Sequence, residues 1–319
     1  MTDNTHTERV TGGDADDTIR ADYESVSNWG RWGAADERGA LNLITSEHVL
    51  RAKAGIAVGR VVGCGQIDEV ASALNTDPPA HRMLTTGEQA GDGCAIATDF
   101  IGVAPHGATT THIDALCHIF FDGQMYNGRP ASLVGTAGAE ANSIAVMAGG
   151  VATRGVLLDI PRARGVDYVE PEEPVTPADL DAAARMAGVT VEPGDALVIR
   201  VGRAQRRAVV GVDGERDAEG ERQIAGLHAD CLPWLHRHDI SILGSDGGND
   251  ALPAPHTRAR MPIHVGCLVF MGVHLIDNME VEALRQSCQE LGTAEFFFSV
   301  APVTLSRATG AAVNPLAIF

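Results

Sequence analysis

The sequence predicts an α/β protein in which a mixed β-sheet is flanked by helices. Two observations carry this prediction: short β-branched or apolar runs bounded by glycine and proline recur along the chain, and helical segments separate them irregularly. The chain has 319 residues and 45% of them are hydrophobic, which suffices for a large buried core. The irregular alternation favours a mixed sheet over a regular doubly wound one.

The expected strands share β-branched or apolar composition and flanking turn residues. They cover residues 61–67, 95–103, 156–160, 196–201, 240–243, 273–276, 296–301 and 312–318. The clearest helix follows Thr176, because Pro177 suits the first helical position, and it ends at Gly188. Further helices are expected over residues 227–238, 265–271 and 281–291.

The domain organisation predicted from composition is simple. Residues 1–24 are rich in Thr, Asp and Gly and contain few apolar side chains, so we expect a flexible tail there. No low-complexity linker or internal repeat divides residues 25–319. This predicts a single domain after the tail.

Charge and cysteine usage exclude several function classes. The net charge of −18 argues against binding to nucleic acids or anionic membranes, since both require neutralising basic groups. The six cysteines are scattered without a C-x-x-C pair, and no secretory leader or membrane-length apolar run is recognisable. We therefore expect a soluble cytoplasmic protein with reduced thiols that acts on a small molecule.

Three histidines and an aspartate lie within thirteen residues, from His106 to His118. On a strand, His112 and Asp114 point to the same side with Cα atoms about 6–7 Å apart, so both reach one cation. A helical turn after Asp114 would make His118 its i+4 neighbour, about 5–6 Å away between Cβ atoms. The spacing predicts a strand-to-helix change near Asp114.

Two other interpretations of this cluster are possible. The polar groups could be core residues satisfied by backbone, but a buried aspartate beside two histidines is costly without a cation or proton to share. Cys117 could be a nucleophile, but adjacent residues point in different directions on a strand or helix. Both are less favourable than a metal or proton-transfer site.

The segment Thr111-His112-Ile113-Asp114-Ala115-Leu116-Cys117-His118 resembles the second part of the motif H-x-G-T-H-x-D-x-P-x-H. That motif is typical of the cyclase family of metal-dependent hydrolases, which includes bacterial kynurenine formamidases, isatin hydrolase and a trans-dienelactone hydrolase. Leu116 stands where the family usually has Pro. The family's first metal-binding His aligns with Ala108, so His106 could replace that ligand only if the backbone shifts or bulges.

Other segments are similar to the same family. Residues 154–159, 175–180, 194–200 and 308–317 resemble its central strand, helix, next strand and closing strand. His264 and the run 272–278 resemble its second His and Glu, with Asp277 in place of Glu.

The resemblance implies a swivelling β/β/α fold, a homodimer or homotetramer, and a divalent metal, Zn²⁺ or Mn²⁺. The implied ligands are His112, Asp114, His264 and Asp277, with His106 conditional on the bulge. His118 would act as general base and then general acid. The implied reaction is hydrolysis of an amide, lactone or ester bond in a small cyclic or aromatic substrate.

Aromatic residues near these segments are candidates for substrate binding. Trp29 and Trp32 could cover a flat substrate or staple the N-terminal segment to the core. Phe120 and Tyr126 follow His118 and are expected to line the pocket. The polar run 245–250 is interpreted as an ordinary Asp/Gly turn.

Two alternative functions remain open at this point. Replacement of the first family His by Ala108 could leave a metal-independent dehydratase or cyclase of secondary metabolism. A non-catalytic small-molecule binding protein could also use the same pocket.

Overall fold

A nine-stranded mixed sheet is the frame of the protein. The computed structural model describes residues 12–69, 72, 75–254 and 259–319. Strands of three or more residues are labelled in chain order: β1 Val61–Gly63, β2 Ala80–Thr85, β3 Thr98–Gly102, β4 His112–Asp114, β5 Val151–Asp159, β6 Ala196–Arg200, β7 Ile242–Ser245, β8 His274–Asp277, β9 Glu295–Val300, β10 Gly310–Ala312 and β11 Leu316–Ile318.

The large sheet has the strand order β1-β11-β9-β5-β6-β7-β8-β4-β10. The central strands β5 to β8 are parallel to one another, and every other pairing is antiparallel. β2 and β3 form a separate two-stranded sheet. Two-residue strands add short ladders between Gln124–Met125 and Arg129–Pro130, and between Val134–Gly135 and Gly138–Ala139.

Helices flank the large sheet. The α-helices are α1 Gly12–Ser25, α2 Ser46–Ala54, α3 Ile160–Arg164, α4 Pro177–Ala187, α5 Arg203–Val210, α6 Leu232–Arg237, α7 Pro262–His264 and α8 Glu282–Leu291. A π-helical segment, Val265–Met271, continues directly from α7. The 3₁₀ segments are Gly39–Leu43, Gly87–Gln89, Tyr126–Gly128, Ala131–Leu133, Ile144–Met147, Asp213–Glu215 and Ala229–Cys231.

The central strands are buried on both faces. In β6, Leu197 and Ile199 join a core cluster that includes the π-helical segment and α6, whereas Ala196 and Val198 join a second cluster with α8. Alternate side chains of a strand point to opposite faces, so the two clusters lie on the two sides of the sheet. A parallel strand covered on both faces reads as a continuous apolar run, which explains the sequence Ala-Leu-Val-Ile.

The predicted α/β class is confirmed, and the clearest helix has the predicted bounds. Thr176 and Asp179 form a reciprocal capping box at the start of α4, and Gly188 ends it in the left-handed conformation. The six cysteines are unpaired, as expected. The predicted strand over 312–318 is instead two strands, β10 and β11, which pair with different neighbours.

The structure describes part of the segment that was expected to be a tail. Residues 12–24 belong to α1, whose Ile19 and Tyr23 are buried in the core cluster. Tyr23 stacks on Phe270 with ring centroids 5.1 Å apart, and this packing offsets the entropy of ordering the segment. Residues 1–11 lie outside the described part of the chain.

The α4 cap gives a stability prediction. Hydrogen bonds from Arg164, outweighing burial, lower the pKa of Asp179 to about 2. Asp179→Ala removes the Asp179 half of the capping box and the ion pair with Arg164, so we expect a loss of about 1 kcal/mol in the free energy of unfolding at pH 7, measured by urea denaturation. A depressed pKa stabilises fully above the unfolded value near 4 and this stabilisation is lost as the pH falls through the folded value, so the difference from wild type should shrink as the pH falls from about 4 to about 2.

Asp167→Ala is the matched control, because Asp167 is an exposed aspartate of the preceding loop. Equal effects of the two substitutions, or a pH-independent effect of Asp179→Ala, would contradict this account of the cap.

Candidate metal centre

The candidate site lies where β4 runs beside the carboxyl end of β8. His112 on β4 pairs with Asp277 on β8, and Ile113 pairs with Ile276. His112, Asp114 and Asp277 therefore point to the same face of the sheet, while Ile113 and Ile276 point into the opposite core cluster. The start of α7 covers that face and brings His264 to the same place.

The first group of possible ligands contains His106, His112 and Asp114. The Nδ1 atom of His106 is 2.8 Å from Oδ1 of Asp114, and the Nε2 atom of His112 is 3.5 Å from the same oxygen. The other nitrogen of each ring forms a hydrogen bond with a group outside the cluster. His106 Nε2 lies 2.9 Å from the Thr309 hydroxyl, and His112 Nδ1 lies 2.8 Å from the Thr110 carbonyl oxygen. Each imidazole thus has one nitrogen left to face Asp114.

The second group contains Asp114, His264 and Asp277. The Nε2 atom of His264 is 3.5 Å from Oδ2 of Asp114 and 3.3 Å from Oδ2 of Asp277. Its Nδ1 atom is 2.5 Å from Oδ2 of Asp250, and the Asn249 amide donates to Oδ1 of Asp277. An outer hydrogen bond of this kind fixes the tautomer and orientation of a metal-binding imidazole. Asp114 is common to both groups.

Three atoms at the centre lack ordinary hydrogen bonds. His106 Nδ1 and both carboxylate oxygens of Asp114 are buried without a hydrogen-bond partner among the described residues, although nitrogen and oxygen atoms surround them at 2.8 to 3.5 Å. The possible ligand atoms of each group lie within 4.8 Å of one another, close enough to hold one ion. Buried orphaned acceptors of this kind fit a cation.

The electrostatics of the site also favour a bound cation. Burial alone would raise the pKa of Asp114, but the surrounding imidazoles, led by His106 and His112, hold it well below its usual range. Burial opposes protonation of His264, yet Asp277, Asp114 and Asp250 together raise its pKa well above the ordinary value. Several buried carboxylates meet here, so positive charge is required on an imidazole or a metal ion.

The donor set fits a borderline divalent ion. Imidazole nitrogens and carboxylate oxygens without a thiolate suit Zn²⁺ or Mn²⁺. The nearest cysteine in sequence, Cys117, is buried, and burial raises the pKa of its thiol to about 12. Cys117 is therefore a neutral thiol at physiological pH and not a nucleophile.

The chain reaches this geometry through a bent segment before β4. Residues 105–110 lie outside any strand or helix, and Arg203 donates to the Ala108 carbonyl at 2.8 Å. Asn278, which directly follows β8, donates from its side-chain amide to the Gly107 and Thr110 carbonyls. These hydrogen bonds attach the bent segment to the end of β8. The backbone irregularity that His106 requires is present, and its imidazole reaches Asp114.

Gly310, the first residue of β10, lies directly against the His106 ring. A Cβ atom on Gly310 would lie 2.7 Å from Cε1 of His106 and 2.6 Å from the Ile113 carbonyl oxygen, so any larger residue there would displace the ring. Glycine at this position is explained by the close approach of the imidazole.

His118 joins the cluster, but not through the predicted helix. β4 ends at Asp114 as expected, and the chain then forms a turn in which the His118 amide donates to the Ala115 carbonyl. A helix is prevented because the Cys117 amide donates to Asn142, which is distant in sequence. The His118 ring stacks on His106 with centroids 3.7 Å apart, and burial lowers its pKa to about 4.

The four aromatic residues that were candidates for substrate binding lie in different environments. Trp29 donates from Nε1 to the Val269 carbonyl and stacks on Phe270 at 5.3 Å, which is the stapling role weighed above. Tyr126 is fully buried and donates to Asp36. Trp32 packs under the Arg31 guanidinium, and Phe120 is 40% exposed. A substrate contact of Trp32 or Phe120 stays a prediction.

Sequence reasoning missed the outer partners of the site. The run 245–250 is more than an ordinary turn, since Asn249 holds Asp277 and Asp250 holds His264. Asp250 also accepts from the backbone amides of Ile263 and His264. A clustered Asn-Asp pair at the end of a strand was the available signal.

A cavity separate from this site lies elsewhere in the fold. It has a volume of about 540 Å³ and is lined by residues of α4, α8 and the ends of β5 and β6, including Asp159, Arg200 and Cys288. None of the metal-site residues lines it.

The sequence profile of the Cyclase family matches residues 68–249, which is more than half of the chain. The chain belongs to the Cyclase family. A search of curated proteins gave no match.

Solved structures agree with this assignment. A protein described as a novel cyclase has 28% identity to this chain over 93% of it and 99% of its own length, with a TM-score of 0.81. Isatin hydrolase A from Labrenzia aggregata, bound to benzyl benzoate, has 17% identity over 81% of this chain and 93% of its own, with a TM-score of 0.59. Another isatin hydrolase, bound to the product analogue thioisatinate, has 18% identity over 86% and 99%, with a TM-score of 0.59. The swivelling β/β/α fold expected from the sequence is confirmed.

Within the described residues, no helix is both long enough and apolar enough to span a bilayer.

The ligand role of His106 can be tested by metal titration. His106→Ala removes the imidazole whose Nδ1 faces Asp114, so we expect the affinity for Zn²⁺ or Mn²⁺, measured by isothermal titration calorimetry, to fall by at least about 100-fold. His228→Ala removes an imidazole that interacts with Asp230 instead, and should leave the affinity unchanged. Unaltered affinity in His106→Ala would show that His106 is not a ligand.

The outer position of Asp250 gives a second prediction. In Asp250→Asn the new amide can donate to His264 Nδ1, which forces the proton onto Nε2 and blocks the nitrogen that faces the site. We expect metal affinity to fall by about 10–100-fold with little change in the circular dichroism spectrum. Full retention of affinity would mean that the Asp250 contact does not set the tautomer of His264.

Proposed function

We propose that this protein is a metal-dependent hydrolase that cleaves an amide, lactone or ester bond of a small cyclic or aromatic substrate. The observation that carries the proposal is the shared carboxylate of Asp114, with imidazole nitrogens of His106, His112 and His264 aimed at it and each second nitrogen held by an outer partner. Such an arrangement suits a cation better than core packing, which supports the proposal.

The ligands in this proposal are His106, His112 and Asp114 in one group and Asp114, His264 and Asp277 in the other. A bound Zn²⁺ or Mn²⁺ would polarise the substrate carbonyl and lower the pKa of bound water toward neutrality. The two groups share one carboxylate, so the site has room for one ion held by members of both groups or for two ions.

His118 is the proposed general base and acid. No hydrogen bond to either ring nitrogen is present within the described residues, and the residue is partly exposed, so both nitrogens are available to a substrate or water. Its pKa is lowered to about 4 mainly by burial, so the imidazole is neutral at neutral pH, which is the state that a general base requires. Stacking on His106 fixes the ring beside the ligands.

The substrate class is supported by relatives with the same fold. Isatin hydrolases with benzyl benzoate or thioisatinate bound share the architecture. Small aromatic carbonyl compounds are therefore the first substrates to assay.

A chelation experiment tests the reaction class. Metal-stripped protein should not hydrolyse isatin, an N-aryl formamide or a lactone, and stoichiometric Zn²⁺ or Mn²⁺ should restore turnover. His118→Ala should keep metal affinity within about twofold and lose about 10²- to 10⁴-fold in kcat, because proton transfer is lost while the ligands remain.

Two results would contradict the proposal. Full turnover by protein shown to be metal-free would instead support metal-independent chemistry. Unchanged kcat in His118→Ala would remove the proposed proton-transfer role.

A further inference from the structure

An arginine without a partner lies beside the metal centre. Among the residues that the structure describes, none forms a hydrogen bond or an ion pair with the side chain of Arg222. This side chain is partly buried, and a guanidinium keeps its charge at physiological pH. The buried arginines Arg200 and Arg203 are each paired with carboxylates. A partly buried cation without such a counter-charge is costly, and it is suited to binding an anion.

A short hairpin over residues 215–224 places Arg222 opposite a second arginine. Arg216 and Arg222 are direct partners in an antiparallel bridge, and the Gln223 amide donates to the Glu215 carbonyl at 2.8 Å. Side chains of directly opposed residues share a face of a hairpin, so the two guanidinium groups extend from the same side. Like charges in this arrangement are unfavourable unless an anion lies near them.

The buried carboxylate of this hairpin is already engaged by other residues. Both oxygens of Glu215 accept hydrogen bonds from Arg203 and from Arg207, at distances of 2.6 to 2.9 Å. Glu215 therefore does not neutralise Arg222 as well. Positive charge is in excess at this place, although the chain as a whole has a net charge of −18.

Two attachments hold the hairpin against the metal centre. On one side, Arg203 connects Glu215 to a carbonyl of the bent segment that carries His106. On the other side, Ile224 and Leu252 exchange backbone hydrogen bonds of 2.8 and 3.0 Å. Leu252 directly follows the polar run that holds the possible ligands His264 and Asp277. The position of the hairpin beside the site is thus defined at both ends.

The face of the hairpin that carries Arg222 is turned toward Asp277. Alternate residues of an extended segment share a face, so Arg222 and Ile224 point to the same side. A Cβ atom on Gly247 would lie 3.7 Å from Cγ2 of Ile224, and one on the next residue, Gly248, would lie 3.9 Å from Oδ2 of Asp277. The side chain of Ile224 therefore packs next to the metal centre, and Arg222 extends from the same face.

The space between Arg222 and Asp277 is open. Burial and the guanidinium groups of Arg216 and Arg203 lower the pKa of Arg222, and the charge of Asp277 opposes them although the two residues form no ion pair. Within the described part of the chain, a Cβ atom on Gly248 would meet only Asp277 within 4 Å. The glycine thus leaves room for a ligand group beside the possible metal ligand.

We propose that Arg222 binds a carboxylate group of the substrate while the carbonyl to be hydrolysed lies at the metal centre. This inference rests on the proposed function and narrows its substrate class to small aromatic carbonyl compounds that also carry a carboxylate. The planar guanidinium matches the two oxygens of a carboxylate with two parallel hydrogen bonds. Arg222 is then a specificity-determining residue, separate from the proton transfer assigned to His118.

Binding of unreactive anions tests the subsite without turnover. The full chain in saturating Zn²⁺ is titrated with benzoate and with the isomeric benzenedicarboxylates by isothermal titration calorimetry. In wild type at least one dicarboxylate should bind about 10–100-fold more tightly than benzoate, because its second carboxylate reaches Arg222. Arg222→Gln should remove this difference. Arg237→Gln is the matched control and should retain it, since Arg237 is an exposed arginine at the end of α6.

Turnover tests the substrate preference separately. Formanilide and the isomeric formamidobenzoates share the scissile amide and differ only in the carboxylate. For at least one formamidobenzoate, Arg222→Gln should raise KM by about 10–100-fold and leave kcat within about twofold. The kcat/KM for formanilide should be the same in the variant and in wild type, because this substrate has no group for Arg222 to bind.

A stability measurement distinguishes ligand binding from a structural role. Arg222→Gln removes a cation opposite Arg216, so its free energy of unfolding in urea should equal or exceed that of wild type. A lower free energy of unfolding would show that Arg222 stabilises the fold through a partner of its own and would contradict the inference.

The titration also decides the outcome if no formanilide is hydrolysed. That result would contradict the proposed hydrolase function, whereas the anion affinities still report on Arg222. A wild type that binds no dicarboxylate more tightly than benzoate would overturn the inference. So would an Arg222→Gln variant that retains the wild-type difference, or an equal loss of that difference in Arg237→Gln.

Discussion

The buried carboxylate of Asp114 is the constraint around which the rest of the structure is arranged. It is fully buried, shared by two groups of possible metal ligands, and its oxygens lack ordinary hydrogen bonds within the described residues. A buried anion without a compensating positive charge would cost several kcal/mol. A cation or a proton supplied at this place would offset that cost where β4 lies beside β8 and where His264 is brought to the carboxylate.

The surrounding residues orient the imidazoles before any ion binds. Thr309, the Thr110 carbonyl and Asp250 each occupy the outer nitrogen of one ring. Because the outer nitrogens have these partners, the inner nitrogens face Asp114. The imidazoles would therefore need little reorientation to bind a metal ion. His106 reaches Asp114 from a bent segment that Arg203 and Asn278 hold in place, and under the proposed function it takes the place of the ligand that the resemblance led us to expect at Ala108.

Features encoded locally could be predicted from the sequence. The capping box and terminal glycine of α4 lie within a few residues of one another, and the period of two on β4 places His112 and Asp114 on one side. Features that depend on distant partners could not be predicted. The turn at His118 forms because Asn142 bonds to Cys117, and the helicity of residues 12–24 depends on packing against Phe270. The role of Asp250 was hidden because a carboxylate in a glycine-rich run is usually a turn residue.

The most direct test of the metal centre is anomalous diffraction from crystals grown with Zn²⁺ or Mn²⁺, recorded at the absorption edge of the metal. The account predicts a peak bounded by His106 Nδ1, His112 Nε2 and Asp114, or by Asp114, His264 Nε2 and Asp277, or at both places. Asp114→Asn should abolish every such peak. A metal bound away from Asp114, or no anomalous density at a saturating metal concentration, would contradict it.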